Sequence, residues 1–112
     1  MVSKGPDLET RIDCFTFNFD RMIKKNMFGG RGYLLNGKFC FGTYRDHLVL
    51  RISRRQAEEL LKLEYIHPFE VTGRPKKGWL MIGLDYFKSD DKLNEMLEMG
   101  IKYVSSLRIK PR

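Results

Sequence analysis

Asn36-Gly37 stands between two short apolar runs, Tyr33-Leu34-Leu35 and Lys38-Phe39-Cys40-Phe41. Both residues of that pair tolerate positive φ, which a type I′ turn demands at its two central positions, so the pair ties the runs into an antiparallel hairpin. The hairpin in turn constrains the segment downstream of it. Gly42 to Asp46 makes a looser turn, and His47 to Ile52 supplies a third strand with Leu48, Leu50 and Ile52 on one face. The centre of the chain is thus predicted to be a three-stranded antiparallel meander.

Upstream, Leu8, Ile12, Phe15, Phe19, Met22 and Ile23 recur at helical spacing. Pro6 precedes them, and Asp7, Glu9 and Asp13 lie in the opening turns, where acids meet the positive end of the helix dipole. Phe15, Phe17 and Phe19 also alternate as a half-buried strand would, but this alternation is the shorter pattern, so length favours a helix over 8–23. Gly29, Gly30 and Gly32 then end it, with at least one glycine as a C-cap and Met27-Phe28 as a plug beneath the break.

Downstream, Ser53-Arg54-Arg55-Gln56 fits a capping box, and Ala57 to Leu63 continues as a short helix burying Leu60, Leu61 and Leu63. Phe69-Glu70-Val71 reads as a short strand. Gly73-Arg74-Pro75-Lys76-Lys77-Gly78 is a basic loop, and Trp79 to Leu84 is a strand apolar on both faces, which suits a central position. Ser89, Asp90 or Asp91 starts a last helix with Leu93, Leu97, Ile101, Tyr103 and Val104 as its stripe. The order α-βββ-α-ββ-α defines a two-layer α+β fold with an antiparallel sheet. Its 112 residues predict one domain over 1–112 with an ordered core at about 8–106.

An apolar content of 42% with 31% charged residues describes a globular chain rather than a disordered one. Trp79-Leu80-Met81-Ile82 is far short of the roughly 20 apolar residues that a membrane span needs. The first residues hold no apolar core, so no secretory signal is expected, and Cys14 and Cys40, set among aromatics, read as free buried thiols of a cytoplasmic protein.

The net charge of +7 is uneven. From Arg21 to Arg55 the acid Asp46 stands against Arg21, Lys24, Lys25, Arg31, Lys38, Arg45, Arg51, Arg54 and Arg55. Asp85 to Glu98 is locally acidic. Such asymmetry can steer a polyanion to one side of a fold. Lys24, Lys25, Arg31, Arg54 and Arg55, with Arg74, Lys76 and Lys77, are therefore the candidate nucleic-acid or partner-binding set. A solvated surface is the simpler reading, because a helix end, strand ends and a loop need not converge.

Other constellations carry less. Gly30-Arg31-Gly32 follows a helix and precedes strands, the reverse of a dinucleotide loop. Phe39, Phe41 and Tyr44 could stack bases, yet the element order is not that of an RNA-recognition motif. His47, His67, Cys14 and Cys40 have no metal-ligand spacing. Asp90-Asp91 reads as a helix start, Trp79 as a core anchor. No catalytic residue, metal or cofactor is indicated, which points to binding rather than to an enzyme.

Lys25-Asn26-Met27-Phe28-Gly29-Gly30, the Asn36-Gly37 hairpin, His47-Leu48-Val49-Leu50-Arg51, then Pro68-Phe69 and Gly73-Arg74-Pro75 before Gly78-Trp79 resemble the N-terminal domain of the TfoX/Sxy family. Met27, Phe28, Gly29, Gly30, Pro68, Phe69, Gly73, Pro75, Gly78 and Trp79 carry the resemblance as structural positions. It covers roughly residues 8 to 106 and implies an α+β domain similar to the secretion-chaperone-like folds. Full-length members are bacterial competence regulators acting with a cyclic-AMP receptor protein at promoters, and they carry a second helical domain. The resemblance implies a stand-alone regulatory or adaptor domain with a protein partner, such as transcription machinery. Weakly specific nucleic-acid binding through 21–55 is the alternative. A sheet covered by helices on one face suggests a homodimer through the other.

Overall fold

The computed structural model describes residues 7–17, 19–27, 29–70 and 77–107. Helix α1 (Leu8–Thr16) starts at Asp7, whose carboxylate accepts the Thr10 backbone N–H at 2.9 Å and so satisfies one donor left open at a helix start. Leu8 and Ile12 are buried, and Phe15 packs on the core.

The predicted helix over 8–23 is half right. It stops at Thr16, Phe17 is 85% exposed, and Met22–Met27 forms strand β1. Two apolar patterns meet end to end here, a helical stripe ending at Phe15 and a strand face beginning at Met22. Across Phe19 their spacing imitates one continuous helix. The glycines are correspondingly not a helix cap. Gly29, at φ +85, lies in the turn between β1 and β2 (Gly30–Leu35), which pair antiparallel from Met22↔Leu35 to Met27↔Gly30. A left-handed residue is cheapest as glycine. Met27 does act as a plug, but over the sheet: a Cβ built on Gly32 would meet its Sδ at 2.2 Å. Phe28 lies outside the described residues.

The Asn36-Gly37 hairpin is present, with φ of 53 and 82 at its two central residues, and leads into β3 (Lys38–Tyr44). The next turn is tight, not loose. Tyr44 pairs with His47 across Arg45-Asp46, both left-handed, and β4 (His47–Arg51) follows. The Arg45 carbonyl lies 2.8 Å from His47 Nδ1, a contact that helps hold the turn.

Helix α2 (Arg54–Leu60) is capped by the Ser53 hydroxyl, which accepts the Gln56 N–H at 3.2 Å. It ends earlier than the sequence suggests. Ala57 is its buried residue, whereas Leu61 and Leu63 are exposed at 37% and 43%. The strand expected at Phe69–Val71 is displaced to β5 (Ile66–Pro68). Phe69 still donates its N–H to the Trp79 carbonyl at 3.1 Å, and Val71 lies outside the described residues. Pro68 is tolerated because β5 is an edge strand. Strand β6 (Trp79–Gly83), a single 3-10 turn (Leu84–Phe87) and helix α3 (Asp90–Ser106), capped by Ser89, complete the fold.

The six strands form one antiparallel sheet in the order β1-β2-β3-β4-β6-β5. The α+β class follows the sequence reading, with one strand more where the first helix was overextended. Leu8 and Ile12 of α1, Ala57 of α2 and Leu93, Met96, Leu97 and Val104 of α3 join one core with Leu48, Leu50, Leu80 and Ile82 of the sheet. Each large aliphatic side chain buried this way contributes about 1.5–3 kcal/mol, against about 1 kcal/mol or less for an exposed ion pair. Burial therefore drives the fold, and charge adjusts it.

A bulge adapts the sheet to α3. Tyr33 pairs with Phe41 and Leu34 with Phe39, which leaves Cys40 as the extra residue. Cys40 and Phe41 both reach the helix side, and the Cys40 thiol meets the Gly100 carbonyl at 3.6 Å. The opposite sheet face carries its own cluster: Phe39, Val49 and Phe69 are buried there, with Met27, Tyr44, Trp79 and Met81 packed around them. These three are buried within one chain, so their burial does not require a second copy.

Candidate functional site

Alternation along β1 and β2 puts Lys24, Asn26, Arg31 and Tyr33 on the helix side of the sheet. On α1, Glu9 and Asp13 are one turn apart and face them. Lys24 Nζ lies 2.7 Å from Glu9 Oε2 and 3.0 Å from Asp13 Oδ2, and Arg31 Nε lies 3.1 Å from the same Glu9 oxygen. The Tyr33 hydroxyl donates to Asp13 Oδ1 at 2.7 Å, and the Arg31 guanidinium also donates to Asn26 Oδ1. The Lys24 bond holds the Glu9 carboxyl below its usual range, and Glu9 in turn raises the Lys24 ammonium. Burial, then the bond to Asp13, pushes the Tyr33 phenol up. Two members of the candidate basic set thus fasten α1 to the sheet.

The rest of the set scatters. Lys25 alternates to the opposite face and is exposed, and Arg54 and Arg55 are exposed in the first turn of α2. Arg74 and Lys76, with Gly73 and Pro75 of the family motif, lie outside the described residues. Arg54 and Lys77 do come together. They rim a groove of ≈ 210 Å³ between α2 and the start of β6, walled by Ala57, Glu58, Leu61, Pro68, Gly78, Trp79 and Leu80. Gly78 is held there by its carbonyl, which accepts the Ile52 N–H at 2.8 Å.

Trp79 is the aromatic centre beside this groove. Its ring stacks on Phe39 at 4.4 Å and on Phe69 at 5.9 Å, and the Arg51 guanidinium lies 5.8 Å from its centroid. Leu61 and Pro68 were missed as surface residues by the sequence reading. The spacing of Arg54, Ala57, Glu58 and Leu61, positions i, i+3, i+4 and i+7, marks a single helix face and was the available signal.

A second, more open groove of ≈ 720 Å³ lies between the end of α1 and α3, lined by Phe15, Phe19, Met99 and Ile101 with Glu95, Glu98, Lys102 and Ser105. The glycine turn borders a recess of ≈ 320 Å³ in which Asp7, Glu9 and Asp46 stand among Arg31 and Arg45, a mixed-charge lining rather than a uniformly cationic cradle. Phe41, a candidate base-stacking residue, is fully buried beneath the helices. Cys40 is buried as expected and its thiol pushed up to about 12 by burial, whereas Cys14 is exposed, contrary to the sequence reading. Among the described residues no three His, Cys, Asp or Glu side chains group as metal ligands, and no helix is long and apolar enough to cross a membrane.

A six-stranded antiparallel sheet with three helices packed on one face defines a small α+β domain. The model of the TfoX N-terminal domain matches residues 16–103, and the chain belongs to that family. Comparison with curated proteins and with solved structures gives no match.

Proposed function

We propose that this domain is a non-enzymatic regulatory adaptor, working through protein–protein contact in the setting of transcription regulation. The observation that carries this reading is the division of the basic set. Lys24 and Arg31 are paired with Glu9 and Asp13 on α1, so their charge is offset by acids of the same chain at partly exposed positions. Arg54 and Lys77 instead border apolar walls. Backbone-reading nucleic-acid binders present cations along a continuous track, because affinity grows with each phosphate neutralised. A pair of cations beside Leu61, Pro68 and Trp79 is better suited to a protein surface, where apolar anchors and charge act together.

The test introduces a photo-cross-linking side chain in place of Leu61, at the groove, and of Ile23, which is 56% exposed on the far face of β1. Irradiation in cells is expected to give protein adducts from position 61 that survive nuclease. They should weaken when Arg54 and Lys77 are changed to Glu. Duplex DNA binding that falls steeply with salt, together with nuclease-sensitive adducts, would replace this reading by the nucleic-acid alternative.

A further inference from the structure

Resting on the protein-docking reading, we propose that the groove between α2 and β6 is a slot for an acidic peptide segment bearing one bulky apolar anchor. Its size is the first reason. At ≈ 210 Å³ it falls below the roughly 300–1,000 Å³ of small-molecule sites, and suits a single side chain projecting from a longer partner.

Its walls are the second reason. Ala57, the small residue of the α2 face, leaves room between the helix and β6, and Leu80, almost fully buried, forms an apolar floor. Leu61 and Trp79 are both among the residues that line the slot. Aromatic and aliphatic pockets of this kind are where binding energy concentrates at protein interfaces.

Charge selects the partner. Arg54 and Lys77 stand on the rim against one acid, Glu58, and the Arg51 guanidinium lies over the Trp79 ring. Among the described residues neither Arg54 nor Lys77 forms an ion pair, whereas Lys24 and Arg31 both do. The larger groove beside α3 offers no such selection, because Glu95 and Glu98 share it with Lys102. Carboxylates flanking an apolar anchor complement the α2–β6 rim and would be repelled by few groups there. A basic segment would meet like charge at Arg54 and Lys77.

The test pans a random-peptide phage library on the full chain, with counter-selection on the Arg54→Glu/Lys77→Glu variant. Selected peptides should combine Phe, Trp or Leu with neighbouring Asp or Glu. A synthetic peptide of their consensus should move the backbone amide resonances of Ala57, Leu61 and Leu80. Its affinity should fall about tenfold or more in Arg54→Glu/Lys77→Glu, the loss of at least one charge-assisted contact, and comparably in Leu61→Ser. Circular dichroism keeps unfolded variants out of the comparison. Selection of basic or uncharged peptides, no selection, or a consensus indifferent to these substitutions overturns the proposal. Peptides that instead map to Phe15, Phe19 and α3 overturn this slot while leaving the docking reading standing. Salt-sensitive duplex binding removes the docking reading itself.

Discussion

Lys24 of β1 reaches across to Glu9 of α1 at 2.7 Å, and the same ammonium touches Asp13 one helical turn on. A basic pair that looks like a polyanion contact in the sequence therefore divides in the fold: Lys24 turns inward to the first helix and Lys25 outward. The tie between α1 and the sheet and the candidate docking surface draw on different cations.

Stability should depend on pH in two limbs. Glu9 titrates below its ordinary value of about 4.3, so its contribution is complete above that value and is lost as pH falls through the folded-state pKa. Lys24 and Tyr33 titrate above their ordinary values, about 10.4 and 10. Their contributions are complete below those values and are lost as pH rises past them. Denaturant unfolding should accordingly show a plateau from about pH 5 to 9. Glu9→Gln should shallow the acid limb and Tyr33→Phe the alkaline one. An acid limb identical in Glu9→Gln would contradict the role given to this carboxylate.

The two glycines flanking Arg31 should differ sharply in what they tolerate. A Cβ on Gly30 would lie 1.9 Å from the Thr43 carbonyl oxygen, a backbone atom that cannot swing away, whereas on Gly32 it meets the flexible Sδ of Met27. Gly30→Ala should cost about 3 kcal/mol and Gly32→Ala about 1 kcal/mol. Adding Met27→Ala to Gly32→Ala should lessen the strain. Equal melting temperatures for the two single variants would sink this assignment.

Which of these features the sequence discloses depends on how local their cause is. The Asn36-Gly37 turn, the Ser53 cap and the Leu48, Leu50, Ile52 face rest on neighbouring residues and are legible. The end of α1 is not, since Met22 and Ile23 match a helical stripe as well as an edge strand until pairing with Leu35 and Leu34 decides. The basic set was legible as composition, but its division was hidden. Which cations meet acids depends on α1 folding back over β1 and β2, a contact that no spacing encodes. The groove was half legible: Arg54 and Lys77 were singled out, while Leu61 was assigned to the core because a longer helix would have buried it.

The two thiols should separate in a labelling experiment. Cys14 is exposed, while Cys40 is buried, close to the Gly100 carbonyl, with its thiol pushed up to about 12. The thiolate is the reactive form. In native buffer a maleimide should modify Cys14 promptly and reach Cys40 at the rate of unfolding. Matching rates at the two sites would show that the bulge on β3 opens readily.

The division of the basic set is tested most directly by thermal unfolding of Lys24→Glu beside Arg54→Glu/Lys77→Glu. Lys24→Glu removes two ion pairs and sets a third acid against Glu9 and Asp13, at partly exposed positions. A loss of about 1–2 kcal/mol, near 5 °C or more in melting temperature, is expected. The double variant reverses twice as many charges at exposed positions and should stay within about 0.5 kcal/mol of wild type. A Lys24→Glu protein that melts like wild type, or a double variant that melts well below it, would contradict the assignment of Lys24 to the fold and of Arg54 and Lys77 to the surface.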